Sequence, residues 1–521
     1  MADIVLVNPR FDPSYWGLEY ALPLLAKRAS MPVAALPLLA ALTPAEHRIS
    51  LIDENVEPID FDRLARADIA GLTGMSVQRA RMVEILTELK RRDCFTVVGG
   101  PWVTVQEDYF GGVADVIFVG EAEETWPQFL EDWSRGCHAA RYEQPDRTDM
   151  TRVPLPRYDL LKMQHYLFGS IQLSRGCHFQ CEFCDIIVTF GRRPRFKTLA
   201  QILAELEALR ARRMEIVFIG DDNLVGNKKH VKTVLREIAA WQRRRGFPFI
   251  FAAEASLDLS EDEELMRLML KANVLSVFIG VESPNEESLR ETKKFQNLAK
   301  QLSILDRVHR VQAAGLEVWS GMIVGFDHDQ SSIFDWQREF VRRSRITQPM
   351  VTMLFAIPKT PLYSRLASLG RLDPDDNPEF GTNVIPLRMS REELRDGYMK
   401  LMSDLYQPEE YFARVDDFIR SPGFRFAPSH AEYLRKRPVA RALVQAKLLL
   451  RSLFLFCQLQ RCVPDPALRQ EYRRRISSLW AWRRDPALLL GYLIKCVMHL
   501  HHHTMARQMA ERQSAVVNAY Q

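Results

Sequence analysis

The chain is sparing with cysteine and histidine, and it has few long apolar runs. Eight cysteines in 521 residues make no disulfide framework, which fits a reducing, cytoplasmic setting. The start, Met1-Ala2-Asp3-Ile4, shows no basic n-region and no long apolar stretch, so no signal peptide is expected. The longest uncharged run near the N-terminus, Ala29 to Ala45, is broken by Pro32, Pro37 and Pro44 and makes a poor membrane span. No histidine precedes His47.

What is present is ordinary for a soluble globular protein: 47% hydrophobic and 26% charged residues. The length predicts two to four domains. The net charge of +4 is unevenly spread. From Ser421 onward there are 17 Lys+Arg against 5 Asp+Glu, whereas the rest of the chain holds 53 against 61. The last hundred residues are a separate electrostatic unit.

One stretch organises the chain: Ser174-Arg175-Gly176-Cys177-His178-Phe179-Gln180-Cys181-Glu182-Phe183-Cys184. Three thiolates so close suit an iron–sulfur cluster, because soft sulfur ligands prefer iron in that form. A cube-shaped cluster with three ligands leaves one iron open, and an open iron is a binding site. Zinc would want a fourth Cys or His, and His178 is too near Cys177 to complete a tetrahedron easily. On spacing alone, a zinc site or three unrelated buried thiols stays as the alternative.

Before this stretch, residues 1–140 alternate strand-like runs (Ile4–Val7, Ile49–Ile52, Ile69–Leu72, Thr96–Val98, Val116–Val119) with helix-like segments. That pattern predicts a parallel α/β sheet of Rossmann type, with ligands at the C-terminal strand ends. The loops there offer Asn8, Thr73, Ser76, Gly99, Gly100, Trp102, Gly120 and Glu121. Residues 141–170 read as a proline-punctuated linker. Strand–helix units then repeat over 171–370, as in a partial TIM-type barrel. Their strand ends carry Asp221-Asp222-Asn223, Glu254 and Ser256, Glu282-Ser283, and Val324-Gly325. Asp221-Asp222 also has the look of a divalent-metal pair. Residues 371–521 turn helical. None of these helices reaches eighteen uncharged residues, so none is expected to span a bilayer. Basic helices with Trp480 and Trp482 suit an anionic membrane surface, and a helical cap is the alternative. No nucleic-acid motif accompanies the charge. His499, His501, His502 and His503 read as a solvated or tag-like tail, with metal binding as the alternative.

The cysteine spacing, with Phe183 before the third cysteine, resembles the radical S-adenosylmethionine (SAM) enzymes. The preceding domain resembles the cobalamin-binding domain of the B12-dependent radical SAM methyltransferases. The order and length of the parts resemble the hopanoid C-2 methylases, with hopanoid C-3 methylases and bacteriochlorophyll side-chain methyltransferases beside them. A corrinoid- or SAM-binding regulator is the other class, and the intact triad speaks against it. The resemblance implies a (β/α)6 barrel and three cofactors: a [4Fe–4S] cluster on Cys177, Cys181 and Cys184, SAM and cobalamin. It implies that Asp222 or a neighbour faces the SAM ammonium, Glu282 the ribose and Val324-Gly325 the adenine. The loop Asn8-Pro9-Arg10-Phe11-Asp12-Pro13 lacks the corrinoid-ligating histidine. The implied partners are a lipid or other hydrophobic substrate, a flavodoxin- or ferredoxin-type electron donor and the inner face of the cytoplasmic membrane.

Overall fold

The computed structural model describes residues 1–298, 301–375 and 380–512. Two parallel sheets carry the architecture. The first has strands β1 (Asp3–Asn8), β2 (Arg48–Asp53), β3 (Ile69–Thr73), β4 (Thr96–Gly99), β5 (Val116–Val119) and β6 (Arg141–Glu143), in spatial order β2-β1-β3-β4-β5-β6. The five apolar runs expected from sequence are its first five strands. Apart from the edge strand β2 they are almost continuously buried, as strands covered on both faces must be; β3 is buried at all five residues.

The second sheet begins at β7 (Gly169–Ile171). After a short antiparallel ladder of β8 (Ser174–Arg175) and β9 (Arg195–Phe196) come β10 (Ile216–Ile219), β11 (Ile250–Ala255), β12 (Val274–Glu282), β13 (Glu317–Val324) and β14 (Gln348–Met353). Their order, β14-β13-β12-β11-β10-β7, is the six-stranded partial barrel. Helices are capped as their sequences direct. Thr198 and Gln201 form a capping box before Leu199–Ala211, and left-handed Gly246 ends Lys228–Arg245.

Two sequence expectations change. The linker at 141–170 gives up both ends: Arg141–Glu143 joins the first sheet beside β5, and Gly169–Ile171 opens the barrel. Only Tyr142 of β6 is buried, so no apolar run marked it. Apolar spacing also suggests a helix over Leu298–Ala314; residues 299 and 300 lie outside the described set, and the helix runs Ile304–Ala313.

The larger correction concerns the histidines. They lie within one long helix, Pro486–Arg512, and His499, His501 and His502 are wholly buried. Tyr472 Oη lies 2.6 Å from His499 Nδ1, and His502 stacks on both Tyr15 and Tyr406, which also stack on each other. His501 Nδ1 accepts from the Tyr20 backbone N–H at 3.3 Å, and its Nε2 donates to the Ser14 carbonyl at 2.8 Å. The helix thereby clasps the N-terminal loop around Ser14–Tyr20. It also closes the N-terminal end of the barrel. Lys495 pairs with Glu317, the first residue of β13, and His502 reaches Gln348, the first residue of β14. Its apolar residues Leu488, Leu493 and Val497 belong to the main core.

Burial pushes the His501 imidazole down to about 4. Below its ordinary value of 6.5, an undocked helix binds a proton that the docked one refuses. Docking is therefore complete at neutral pH and weakens as pH falls through 6.5 toward 4. Between pH 7.5 and 5.5 this one histidine accounts for about 1.4 kcal/mol. Hydrogen–deuterium exchange, corrected for intrinsic rates, should be about tenfold faster in Pro486–Arg512 at pH 5.5, while exchange in β12 stays unchanged.

Candidate functional site

The C-terminal ends of both sheets open on one cavity of about 830 Å³. From the first domain, Asn8, Thr73, Gly99, Gly100, Gly120 and Glu121 line it. From the barrel come Phe183, Cys184, Asp221, Asp222, Glu254 and Glu282. Each of these twelve was expected at a strand end or in the cysteine loop.

The cysteine loop is held from several sides. Gly176 has φ +91°, and an added Cβ would meet the Arg193 carbonyl oxygen at 2.9 Å, so only glycine fits there. Its N–H donates to Asp222 at 2.5 Å. Cys181 Sγ accepts from Gln296 at 3.4 Å. Burial pushes the Cys184 thiol well up, with Asp185 and Cys181 adding to it. Burial, then Cys181, also raises the Cys177 thiol. The three sulfurs thus feel one another. Three soft thiolates in one loop are a donor set that fits an iron–sulfur cluster.

The carboxylates divide by their partners. Asp221 accepts from the Leu173 N–H and the Ser174 hydroxyl, both at 2.6 Å; it anchors the strand leading into the cysteines. Burial lifts it to about 7, Asp222 to about 6 and Glu254 to about 8. Asp221 and Asp222 also raise Glu254. Glu282 adopts φ +64°, a left-handed conformation costly for a non-glycine residue, and pairs with Lys294 at 2.7 Å. Lys294 lies over the Phe183 ring, 5.7 Å from its centroid.

Other expected residues lie elsewhere. Asn223 and Ser256 hydrogen-bond to each other at 3.2 Å, and Asn223 also caps the turn at Val225. Ser283 is buried and accepts from the Asn285 N–H at 3.1 Å. Trp102 packs in the first domain's core against Tyr109 and Arg79. Ser76 accepts from Arg79 through its carbonyl at 2.7 Å. Val324 is a core residue, and Gly325 turns the chain at φ +102°. Asp329 holds that turn through the N–H groups of Gly325 and Phe326 at 2.9 and 3.1 Å. None of these seven expected residues lines the cavity; Ile323 and Leu354 face it instead.

Sequence reading missed Arg175 and Arg195. Arg175 binds Glu121 at 2.8 Å and Glu123 at 2.6 Å, and Arg195 binds Glu121 at 3.0 Å. Burial alone would raise the Glu123 carboxyl; Arg175 outweighs it and holds Glu123 below its ordinary value. These pairs join the end of β5 to the strand entering the cysteine loop.

The first domain's side of the cavity has room for a flat group. Gly71 and Gly99 keep it open: a Cβ at Gly71 would meet Leu6 at 2.6 Å, and one at Gly99 would meet Phe118 at 3.1 Å. No histidine lines the cavity among the described residues. His47 instead accepts from the Ala2 N–H at 3.1 Å, at the opposite end of β1.

Residues 171–335 match the Radical SAM superfamily, and residues 360–515 match a domain of unknown function, DUF4070. The chain is 33% identical over 452 residues to the hopanoid C-2 methylase of Rhodopseudomonas palustris, covering 85% of this chain and 84% of that protein. This chain belongs to the radical SAM methyltransferases. It is also 39% identical over 418 residues to an uncharacterized methyltransferase of Synechocystis, covering 79% and 77%. In fold it resembles the cobalamin-dependent SAM radical enzyme OxsB, solved with aqua-cobalamin and SAM bound: TM-score 0.60, 16% identity, covering 99% of this chain and 82% of that one.

Arg175→Leu leaves Glu123 buried without its cation, a loss of about 3–5 kcal/mol. Calorimetry should show a lower unfolding midpoint. The double variant Arg175→Leu/Glu123→Leu should regain at least half of the drop; no recovery would mean that the pair does not couple.

Proposed function

We propose that the protein methylates an unactivated carbon of an apolar polycyclic lipid, a hopanoid at C-2. The observation that carries this reading is the cavity: charged at its mouth, and walled below by Trp16, Phe168, Phe278, Trp319, Met350 and Met498. Apolar walls with few polar groups are what a hydrophobic substrate needs. The relationship to the hopanoid C-2 methylase supports the choice. A bacteriochlorophyll-type macrocycle and methylation at C-3 of a hopanoid are the competing assignments.

Cys177, Cys181 and Cys184 would hold a [4Fe–4S] cluster. SAM would lie against Asp222 and Glu282, with its adenine toward Ile323 and Leu354. Cobalamin would occupy the glycine-lined side, between Asn8, Thr73, Gly99, Gly100 and Gly120, with no histidine ligand from the protein. When bound, these groups supply one-electron cleavage of SAM and a transferable methyl group. The chain's own residues orient and exclude. Asp222 ties the cysteine loop to the barrel through Gly176, Lys294 neutralises Glu282 beside Phe183, and the two sheets close the mouth against water. A flavodoxin- or ferredoxin-type protein is the proposed electron donor, and no nucleic acid is involved.

Lipid mass spectrometry of cells with and without the gene tests the substrate. A gene-dependent gain of one methylene on a hopanoid A ring is expected; a pigment or a C-3 product would sink the assignment. Anaerobically reconstituted protein should hold about four irons. The triple Cys→Ala variant should hold none and should release no 5′-deoxyadenosine.

We also propose that the enzyme sits at a membrane, through one helix rather than its whole basic tail. Pro438–Cys462 is the one helix among the described residues that is long and apolar enough to cross a bilayer, by length and composition, and only 17% of its apolar window is buried. Val439, Leu443, Leu450 and Leu453 form an exposed stripe at spacings of four, seven and three, which share a helix face. The helix carries Arg441, Lys447, Arg451 and Arg461 and no acid. A second copy would bring like charge, whereas anionic lipid complements it. Sedimentation with anionic liposomes should pellet the protein, and Leu443→Ser/Leu450→Ser should lose most of that binding. Equal, negligible pelleting with anionic and neutral liposomes would refute docking.

A further inference from the structure

Two polar atoms at the floor of the cavity have no protein partner. Gln348 and Trp319 are register neighbours on β14 and β13, and both line the cavity. Among the described residues, Gln348 Oε1 and Trp319 Nε1 are buried with no hydrogen-bond partner. Buried polar groups are nearly always paired, so an orphaned acceptor beside an orphaned donor points to a ligand.

The Gln348 amide is oriented from behind. His502 Nδ1 lies 2.8 Å from the Met498 carbonyl, an acceptor, so Nδ1 carries the proton. Nε2 is then the ring's acceptor; Gln348 Nε2 lies 2.7 Å from it and 3.2 Å from Nδ1. The amide must turn its NH2 toward the histidine and leave its oxygen for the cavity. Burial keeps this imidazole neutral, well below its ordinary value. Its stacking against Tyr15 and Tyr406 holds the ring in place.

Depth separates this pair from the reacting end. Gln348 is the first residue of β14 and Met353 its last; five steps of strand span about 16 Å. Gly280 and Gly321, register partners one level above, keep the path open. A Cβ on Gly321 would meet Phe278 at 3.0 Å. The nearby cation Lys495 is already paired with Glu317.

We infer that the substrate is an apolar polycycle with one hydroxyl at the end remote from the methylated carbon, and that this hydroxyl donates to Gln348 Oε1 and accepts from Trp319 Nε1. A hydroxyl offers one donor and two lone pairs, which matches the two orphans. A carboxylate would face the amide oxygen, and an ammonium would leave the indole N–H unpaired. This inference rests on the lipid reading above and adds to it a neutral polar anchor.

The test uses the reconstituted holoenzyme in detergent with a pentacyclic triterpene alcohol and its parent hydrocarbon. Equilibrium binding and kcat/KM are measured for both. Wild type should favour the alcohol by at least tenfold. Gln348→Leu should cut that ratio about tenfold. Trp319→Phe keeps an aromatic ring, removes only the donor and should move the ratio the same way; it stands in if Gln348→Leu folds poorly. His502→Phe keeps a ring to stack but frees the amide, so it should also lower the ratio, marking His502 as a positioning residue. No preference in wild type, or a ratio unchanged in the first two variants, overturns the anchor while leaving the lipid reading intact. Failure of wild type to bind either compound overturns the lipid reading and the anchor with it.

Discussion

Glu121 sits just beyond β5, Arg175 lies two residues before Cys177, and their side chains meet at 2.8 Å with almost no exposure. Everything the site does depends on that joint. The cores of the two sheets are largely separate, joined at Ile357, and nothing in a parallel sheet dictates where a second one sits. A buried ion pair fixes the answer, because breaking it leaves a charge without solvent. Arg195 binds the same glutamate, and Glu123 takes the other side of Arg175. The result sets the end of the first sheet beside the cysteine loop, so that one cavity serves both.

The same economy governs the mouth. Asp222 and Glu254 are held at about 6 and 8 by burial. Around them the protein supplies Arg175 and Arg195 to Asp222, and Lys294 to Glu282. Glu254 has only other acids as its electrostatic neighbours. Such a set is poised for a cationic ligand, whose arrival would draw these groups back toward ionisation. An ammonium and a sulfonium are cations of that kind, and this is the electrostatic case for SAM at the barrel mouth.

Much of this was legible in the residues. Parallel strands covered on both faces read as apolar runs, so β1 to β5 could be placed within a few residues. The cysteine spacing marked the loop. Side-chain direction was harder. The register shift between Gly280 and Glu282 changes which residue faces inward, and Ser283 falls outside the lining. Val324 and Gly325 were assigned by their place at a strand end, yet the neighbouring Ile323 faces the cavity. Lys294 and Gln348 reach the site from distant or unremarkable stretches, with no local pattern to flag them. The histidines misled for a related reason. Four of them within five residues look like solvated tail, and their partners Ser14, Tyr15 and Tyr406 lie far away in sequence.

The basic C-terminal region read as one electrostatic unit, but the fold divides it in two. A helix becomes core when its apolar side chains meet others, and the charge around them does not decide this. Pro486–Arg512 buries Leu493 and Val497 and hides three histidines, so its polar atoms had to find partners: Ser14, Tyr406 and Gln348. Pro438–Cys462 has the greater exposed apolar surface, and its basic residues need no internal partner because they stay in solvent or share Glu215. One helix thus shapes the floor of the cavity, and the other faces outward. The two are packed together in the main core. The outward helix also rests on the turn Leu22–Leu25, which follows the cavity-lining residues Trp16 to Leu18. The outward apolar face and the cavity are therefore joined by one short stretch of chain.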